Sequence, residues 1–296
     1  MYTRTDSDFV SRGTRCAGWL YRPEGVSEPP VVVMAHGFGA ERTFRLPAYA
    51  DKFAERGLAV FLFDYRNFGA SDGEPRNLVS PGRHVQDWHE AIAHVRGLPD
   101  VNKGKIALWG SSFSGGHVTV VAAEDEGIAA IVSQIPFVDG FSSLGTLGLA
   151  YTVKALLAGF RDLGRMLTFR SPYVVPIVEE PDRFGVLNTP ESKPGLLAIL
   201  PEDSSWKNEC PARILLAVTW YRPLSYADKV KCPAFVLLAE KDSLIPARAV
   251  ERLAARMARA ELVRVPLGHF AVYVGDAFEE TAKLEADFLE KHLLGK

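Results

Sequence analysis

Unbroken apolar runs alternate with amphipathic stretches along most of the chain. The runs at 31–35 (VVVMA), 58–63 (LAVFLF), 105–109 (KIALW), 128–132 (IAAIV) and 234–238 (AFVLL) lack polar alternation. That is the pattern of strands buried on both faces of a parallel sheet. Between them, apolar positions recur at helical spacing. Helices are expected from Leu46 to Arg56 (closed by Gly57), across HVQDWHEAIAHVRGL, across GGHVTVVAAEDEG, from Arg248 to Ala258 and from Ala277 to Leu293. Strand-helix alternation of this kind predicts βαβ units, with helices on both faces of the sheet. Alternation around Arg12–Thr14 predicts an antiparallel hairpin ahead of them.

The rhythm breaks at Pro136 and resumes at Cys232. We therefore expect a core of residues 1–136 and 223–296 and an insertion of residues 137–222 acting as a cap. Within the insertion, Leu149, Val153, Leu156, Leu157, Phe160, Leu163 and Leu167 form a helical stripe. The stripe either packs as core or lines a hydrophobic pocket over the strand ends. In the second case Leu156 and Phe160 are candidate substrate contacts.

The turn GSSFSGG, residues 110–116, joins a strand to a helix and admits three readings. As a phosphate loop it has Gly110 and Gly115 at the right spacing, but Gly116 and His117 stand where that loop requires Lys and Ser/Thr. As a plain turn, its serines would cap the helix. As a strained elbow lifting a nucleophile, it needs small residues two positions either side of the serine, which Gly110 and Ser114 provide around Ser112. Ser114 is the alternative nucleophile, because Ser112 and Gly116 flank it in the same way.

A serine nucleophile needs a histidine to take its proton and a carboxylate to orient that histidine. Asp242 follows one downstream strand and His269 the next, both at carboxyl ends where open α/β sheets form their sites. Asp139 and Glu240 are alternative acids. The backbone N–H groups of Phe38, in HGFG, and of Phe113, next to the serine, are candidates for holding an oxyanion.

HGFG, DYRNFGASDGEPR, GSSFSGGH, LAEKDSLIP and GHF together resemble the α/β-hydrolase superfamily. The likeness is to bacterial hydrolases of the X-prolyl dipeptidyl-peptidase and cocaine-esterase group. LWGSSFSGGHV with SQIPFVDG also resembles the fungal polyketide transferases. The resemblance covers nearly the whole chain and departs at Ser114, where most members carry glycine. It implies an α/β-hydrolase fold: a mostly parallel eight-stranded sheet with a largely helical cap between strands six and seven. It also implies ester hydrolysis on Ser112, with acyl transfer, thioester cleavage, peptidase action or a catalytically inactive binding protein as alternatives.

A length of 296 residues, 47% of them hydrophobic, suffices for a large core. A net charge of −2 leaves no basic footprint for nucleic acid. No apolar run is long enough to span a bilayer, and no secretory signal pattern opens the chain. Cys16, Cys210 and Cys232 match neither a disulfide framework nor a zinc motif. The expectation is a cytoplasmic enzyme acting on a small, hydrophobic acyl ester without metal or cofactor. Its state of association, including a homo-oligomer, is left open.

Overall fold

The computed structural model describes residues 1–141 and 148–295; residues 142–147 of the expected insertion, and Lys296, lie outside the described residues. Eight strands form one sheet. In chain order they are β1 (Tyr2–Asp6), β4 (Gly18–Pro23), β5 (Pro30–Ala35), β6 (Ala59–Phe63), β7 (Asn102–Ser111), β8 (Ile128–Gln134), β11 (Ala234–Ala239) and β12 (Ala260–Val265). Across the sheet the order is β1-β4-β6-β5-β7-β8-β11-β12. The strands from β6 to β12 are parallel, while β1 and β4 add an antiparallel edge. The central strands β5, β6 and β11 are buried at every residue, as their unbroken apolar runs require. The expected opening hairpin exists as β2 (Phe9–Ser11) with β3 (Thr14–Cys16), turning on Arg12 and Gly13 in left-handed conformation.

Helices α1 (Leu46–Glu55), α2 (Pro81–Gly97), α3 (Phe113–Glu124), α7 (Ala247–Arg256) and α8 (Gly275–Leu293) accompany these strands. Each falls within a few residues of its expected range. Gly57 ends α1 at φ +86°, a conformation costly for any residue with a Cβ.

Between β8 and β11, the sixth and seventh strands of the sheet, the chain forms α4 (Leu149–Leu167), β9 (Val174–Val175), α5 (Ser192–Ile199), β10 (Cys210–Pro211) and α6 (Ile214–Ala217). Apart from Leu156, the α4 stripe neither packs as core nor lines the cavity over the strand ends. Leu149 is 82% exposed, Leu157 67% and Phe160 60%. The helix buries its small and polar side instead. A Cβ on Gly159 would lie 2.6 Å from Leu216 of α6, so only glycine permits that approach. One turn on, fully buried Asp162 accepts from Arg213 Nε (2.6 Å) and from the backbone N–H groups of Tyr173 (2.8 Å) and Arg213 (2.9 Å). A hydrophobic stripe shows that a helix is amphipathic; here the interhelical seam is set by a glycine and a buried ion pair.

The segment between β8 and β11 is also fastened to earlier parts of the chain. Trp206 Nε1 donates to the Gly39 carbonyl at 2.7 Å, and Asn77 Nδ2 donates to the carbonyls of Lys207 and Glu209.

Candidate active site

Ser112 stands between the end of β7 and the start of α3, with φ 57° and ψ −119°. This region is nearly reserved for glycine, and a side chain held there is strained by about 1–3 kcal/mol. The surrounding small residues impose the bend. A Cβ on Gly110 would lie 2.3 Å from the Ser114 carbonyl oxygen, and one on Gly116 would lie 2.4 Å from that of Phe137. Ser112 makes no side-chain capping bond, which removes the reading of this serine as a helix cap. Ser114 is fully buried, and its hydroxyl hydrogen-bonds Tyr65 Oη at 2.8 Å. That bond satisfies the buried hydroxyl, and the hydroxyl in contact with His269 is that of Ser112.

His269 follows β12 and Asp242 follows β11, so neighbouring parallel strands bring them together. Ser112 Oγ lies 3.0 Å from His269 Nε2, and His269 Nδ1 lies 2.6 Å from Asp242 Oδ2. The other Asp242 oxygen accepts the backbone N–H groups of Leu244 (2.7 Å) and Ile245 (2.8 Å), fixing the carboxylate plane. Both the Asp242 and His269 side chains are about 3% exposed.

The HGFG loop runs against the elbow. A Cβ on Gly37 would lie 3.1 Å from Ser112 Cβ, so glycine lets the two backbones approach. The Phe38 and Phe113 rings meet edge to face at 5.3 Å. Phe113 is the first residue of α3, so its N–H has no acceptor within the helix. Both phenylalanines, Ser112 and His269 line a cavity of about 190 Å³, walled further by Phe137, Leu156, Leu187 and Leu215. The walls are mainly apolar, with Thr189, Ser243 and Asn188 at the polar side.

Comparison with known proteins places the chain in a family. The alpha/beta hydrolase family matches residues 32–284. The chain belongs to that family. It is 35% identical to the quorum-quenching protein AidA of Acinetobacter baumannii (strain MDR-ZJ06), over 97% of this chain and 94% of AidA. It is 29% identical to the polyketide transferase af380 of Aspergillus fumigatus, over 98% of this chain and 99% of af380. The crystal structure of alpha/beta hydrolase GrgF from Penicillium sp. sh18 superposes with a TM-score of 0.84 at 26% identity, covering 99% of each chain. The likeness to fungal polyketide transferases and the fold class expected from the motifs are both borne out.

The remaining candidates distribute themselves around this alpha/beta hydrolase site. Asp139 is held by Arg222 through two bonds of 3.1 Å, and Glu240 is exposed; His269 Nδ1 bonds to Asp242 instead. Leu156 reaches the cavity wall, but Phe160, one turn further along α4, does not line it and faces solvent. The expected Phe160 contact is therefore corrected: the helix packs through Gly159 and Asp162, which turns Phe160 outward. His84 is buried, stacks on Tyr65 at 4.1 Å and bonds His117 Nε2 at 3.2 Å. Burial pushes the His117 imidazole down to about 3, and His84 is pushed well down too. Asp64 ties down its loop by accepting from the Arg42 and Ala70 amides, at 2.7 and 3.1 Å. Among the described residues no group of His, Cys, Asp and Glu is arranged to hold a metal ion, and no helix is long and apolar enough to cross a membrane.

Sequence reasoning missed Glu191, at the head of α5. Its Oε2 accepts the His269 backbone N–H at 2.8 Å, and its Oε1 accepts the Ser243 N–H at 2.7 Å and hydroxyl at 2.6 Å. Trp206, which grips the HGFG loop at Gly39, was missed as well. Neither stands in a motif of an alpha/beta hydrolase core, because both come from the insertion.

Proposed function

We propose that this protein is a serine esterase that cleaves carboxylic esters of small molecules through an acyl-enzyme on Ser112. The observation that carries the reading is the Ser112–His269–Asp242 chain of 3.0 and 2.6 Å contacts opening onto an apolar cavity. His269 Nε2 takes the hydroxyl proton as Ser112 Oγ bonds to the acyl carbon, and Asp242 holds the Nδ1–H and stabilises the imidazolium. The N–H groups of Phe38 and Phe113 hold the developing oxyanion. His269 then returns the proton to the departing alkoxide. Water repeats the sequence on the acyl-enzyme, releasing the acid. Every step draws on these side chains and amides, so no cofactor is required.

Residues 137–222 serve as the cap over a core of residues 1–136 and 223–296. The apolar walls favour a hydrophobic acyl group, with Leu156 in contact with it. A second reading is supported by the name of the af380 relative, a polyketide transferase: the acyl group passes to an acceptor other than water, using the same three residues.

A fluorophosphonate probe and a p-nitrophenyl ester test the assignment together. We expect the probe to label Ser112, identified by peptide mass spectrometry. Ser112→Ala should lose at least about three decades of kcat, because the three residues act as a unit. Ser114→Ala should stay within a few-fold of wild type. A labelled and active Ser112→Ala protein would refute the assignment. Adding alcohol and thiol acceptors to the same assay separates transfer from hydrolysis.

A further inference from the structure

Glu191 joins parts of the chain that are otherwise independent. It belongs to the insertion, yet its carboxylate binds the residue after Asp242 through both N–H and hydroxyl, and binds His269 itself through its backbone N–H. Those donors lie on two loops, one leaving β11 and one leaving β12, separated by 27 residues of sequence at the Asp242–His269 contact. All three bonds end on one carboxyl group, which ties the two loops to a single side chain. Gly268 shows how closely the carboxylate is seated: a Cβ there would lie 2.5 Å from Glu191 Oε2, and its three nearest contacts beyond the adjoining residues would all be carboxylate atoms of Glu191.

We propose that Glu191 is a positioning residue for the reaction. Resting on the serine-hydrolase reading above, it holds the Asp242 and His269 loops at the spacing that keeps His269 Nε2 within reach of Ser112 Oγ. The insertion thereby helps set the geometry of the reacting groups as well as enclosing the substrate. A glutamine is not an equivalent. Its oxygen can serve the Ser243 side or the His269 side, and its NH₂ must then face a backbone N–H.

The test is a double-mutant cycle on p-nitrophenyl butyrate with Glu191→Ala, Gly268→Ala and the double variant, beside Glu191→Gln and Ser112→Ala. Misplacing a reacting group by about an ångström costs up to about a hundredfold in rate. We expect Glu191→Ala, Glu191→Gln and Gly268→Ala each to lose roughly tenfold or more in kcat, with KM within about twofold. A Cβ on Gly268 meets the Glu191 carboxylate first, so the double variant should be no slower than Glu191→Ala. Circular dichroism checks folding; if Glu191→Ala does not fold, Glu191→Gln and Gly268→Ala carry the test. Wild-type kcat in Glu191→Ala or Glu191→Gln, with Ser112→Ala inactive, overturns the positioning role alone. So does a double variant whose losses multiply. Full activity in Ser112→Ala instead overturns the serine reading beneath it.

Discussion

Glu285 on α8 is fully buried beneath the sheet and bonded through Oε2 to Trp109 Nε1 at 2.8 Å. Its Oε1 has no hydrogen-bond partner among the described residues. Burial pushes the carboxyl up from 4.5 to about 8, with the Trp109 bond opposing that only in part. The folded protein therefore keeps this proton at pH 7, whereas the unfolded chain gives it up near 4.5. Folding takes up a proton between those limits, so the contribution is fully present below pH 4.5 and is lost as pH rises to about 8. At about 1.4 kcal/mol per pH unit, the loss across that interval is on the order of 5 kcal/mol. Glu285→Gln keeps an acceptor for Trp109 and cannot ionise. Urea denaturation of both proteins at pH 5, 7 and 8.5 isolates the effect, since every other group is shared. We expect similar stability at pH 5 and a variant more stable by several kcal/mol at pH 8.5, with melting temperatures separating by roughly 10 °C. Parallel curves from pH 5 to 8.5 would refute the reasoning, because they require Glu285 to titrate alike in both states.

Other perturbations probe different parts of the molecule. Asp162→Ala should destabilise by about 3 kcal/mol, since it leaves the Arg213 guanidinium without its partner; thermal melts read this directly. Gly110→Ala drives a Cβ against the Ser114 carbonyl, and should cost about 1–3 kcal/mol and slow ester turnover as the elbow shifts. Across p-nitrophenyl esters, kcat/KM should rise from acetate to a medium-chain optimum and then fall, each buried methylene adding up to about 0.8 kcal/mol. Leu156→Trp, which narrows the cavity, should move that optimum to shorter chains. A steady decline from acetate onward would contradict an acyl role for the cavity.

The sheet was legible because its central strands are buried on both faces, which leaves VVVMA and AFVLL no room for polar alternation. The edge was less so. Tyr2–Asp6 pairs with Gly18–Pro23 in the register of the expected hairpin, but nothing in the pattern shows that Gly18–Pro23 also pairs antiparallel with Ala59–Phe63 and so joins the hairpin to the main sheet. The contact among Ser112, Asp242 and His269 followed from chain order, since parallel strands deliver their following loops to one edge. Glu191 was illegible for the opposite reason. It lies in NTPESKP, without periodicity, and its partners are mostly backbone N–H groups that any sequence presents. The α4 stripe misled because periodicity reports which residues are apolar and says nothing of the glycine and ion pair that decide which side packs.

The left-handed backbone at Ser112 bears on how this chain would drift if its chemistry ceased to matter. A serine at φ 57° and ψ −119° is kept against a conformational penalty of about 1–3 kcal/mol, which glycine would largely remove. While turnover is under selection the penalty is tolerated. Once it is not, a single change to glycine at this position gives a more stable protein with the same surface, so lineages that retain the scaffold for binding alone have a thermodynamic route open to them. Glycine at the elbow of a related chain would then mark a fold relieved of its reaction.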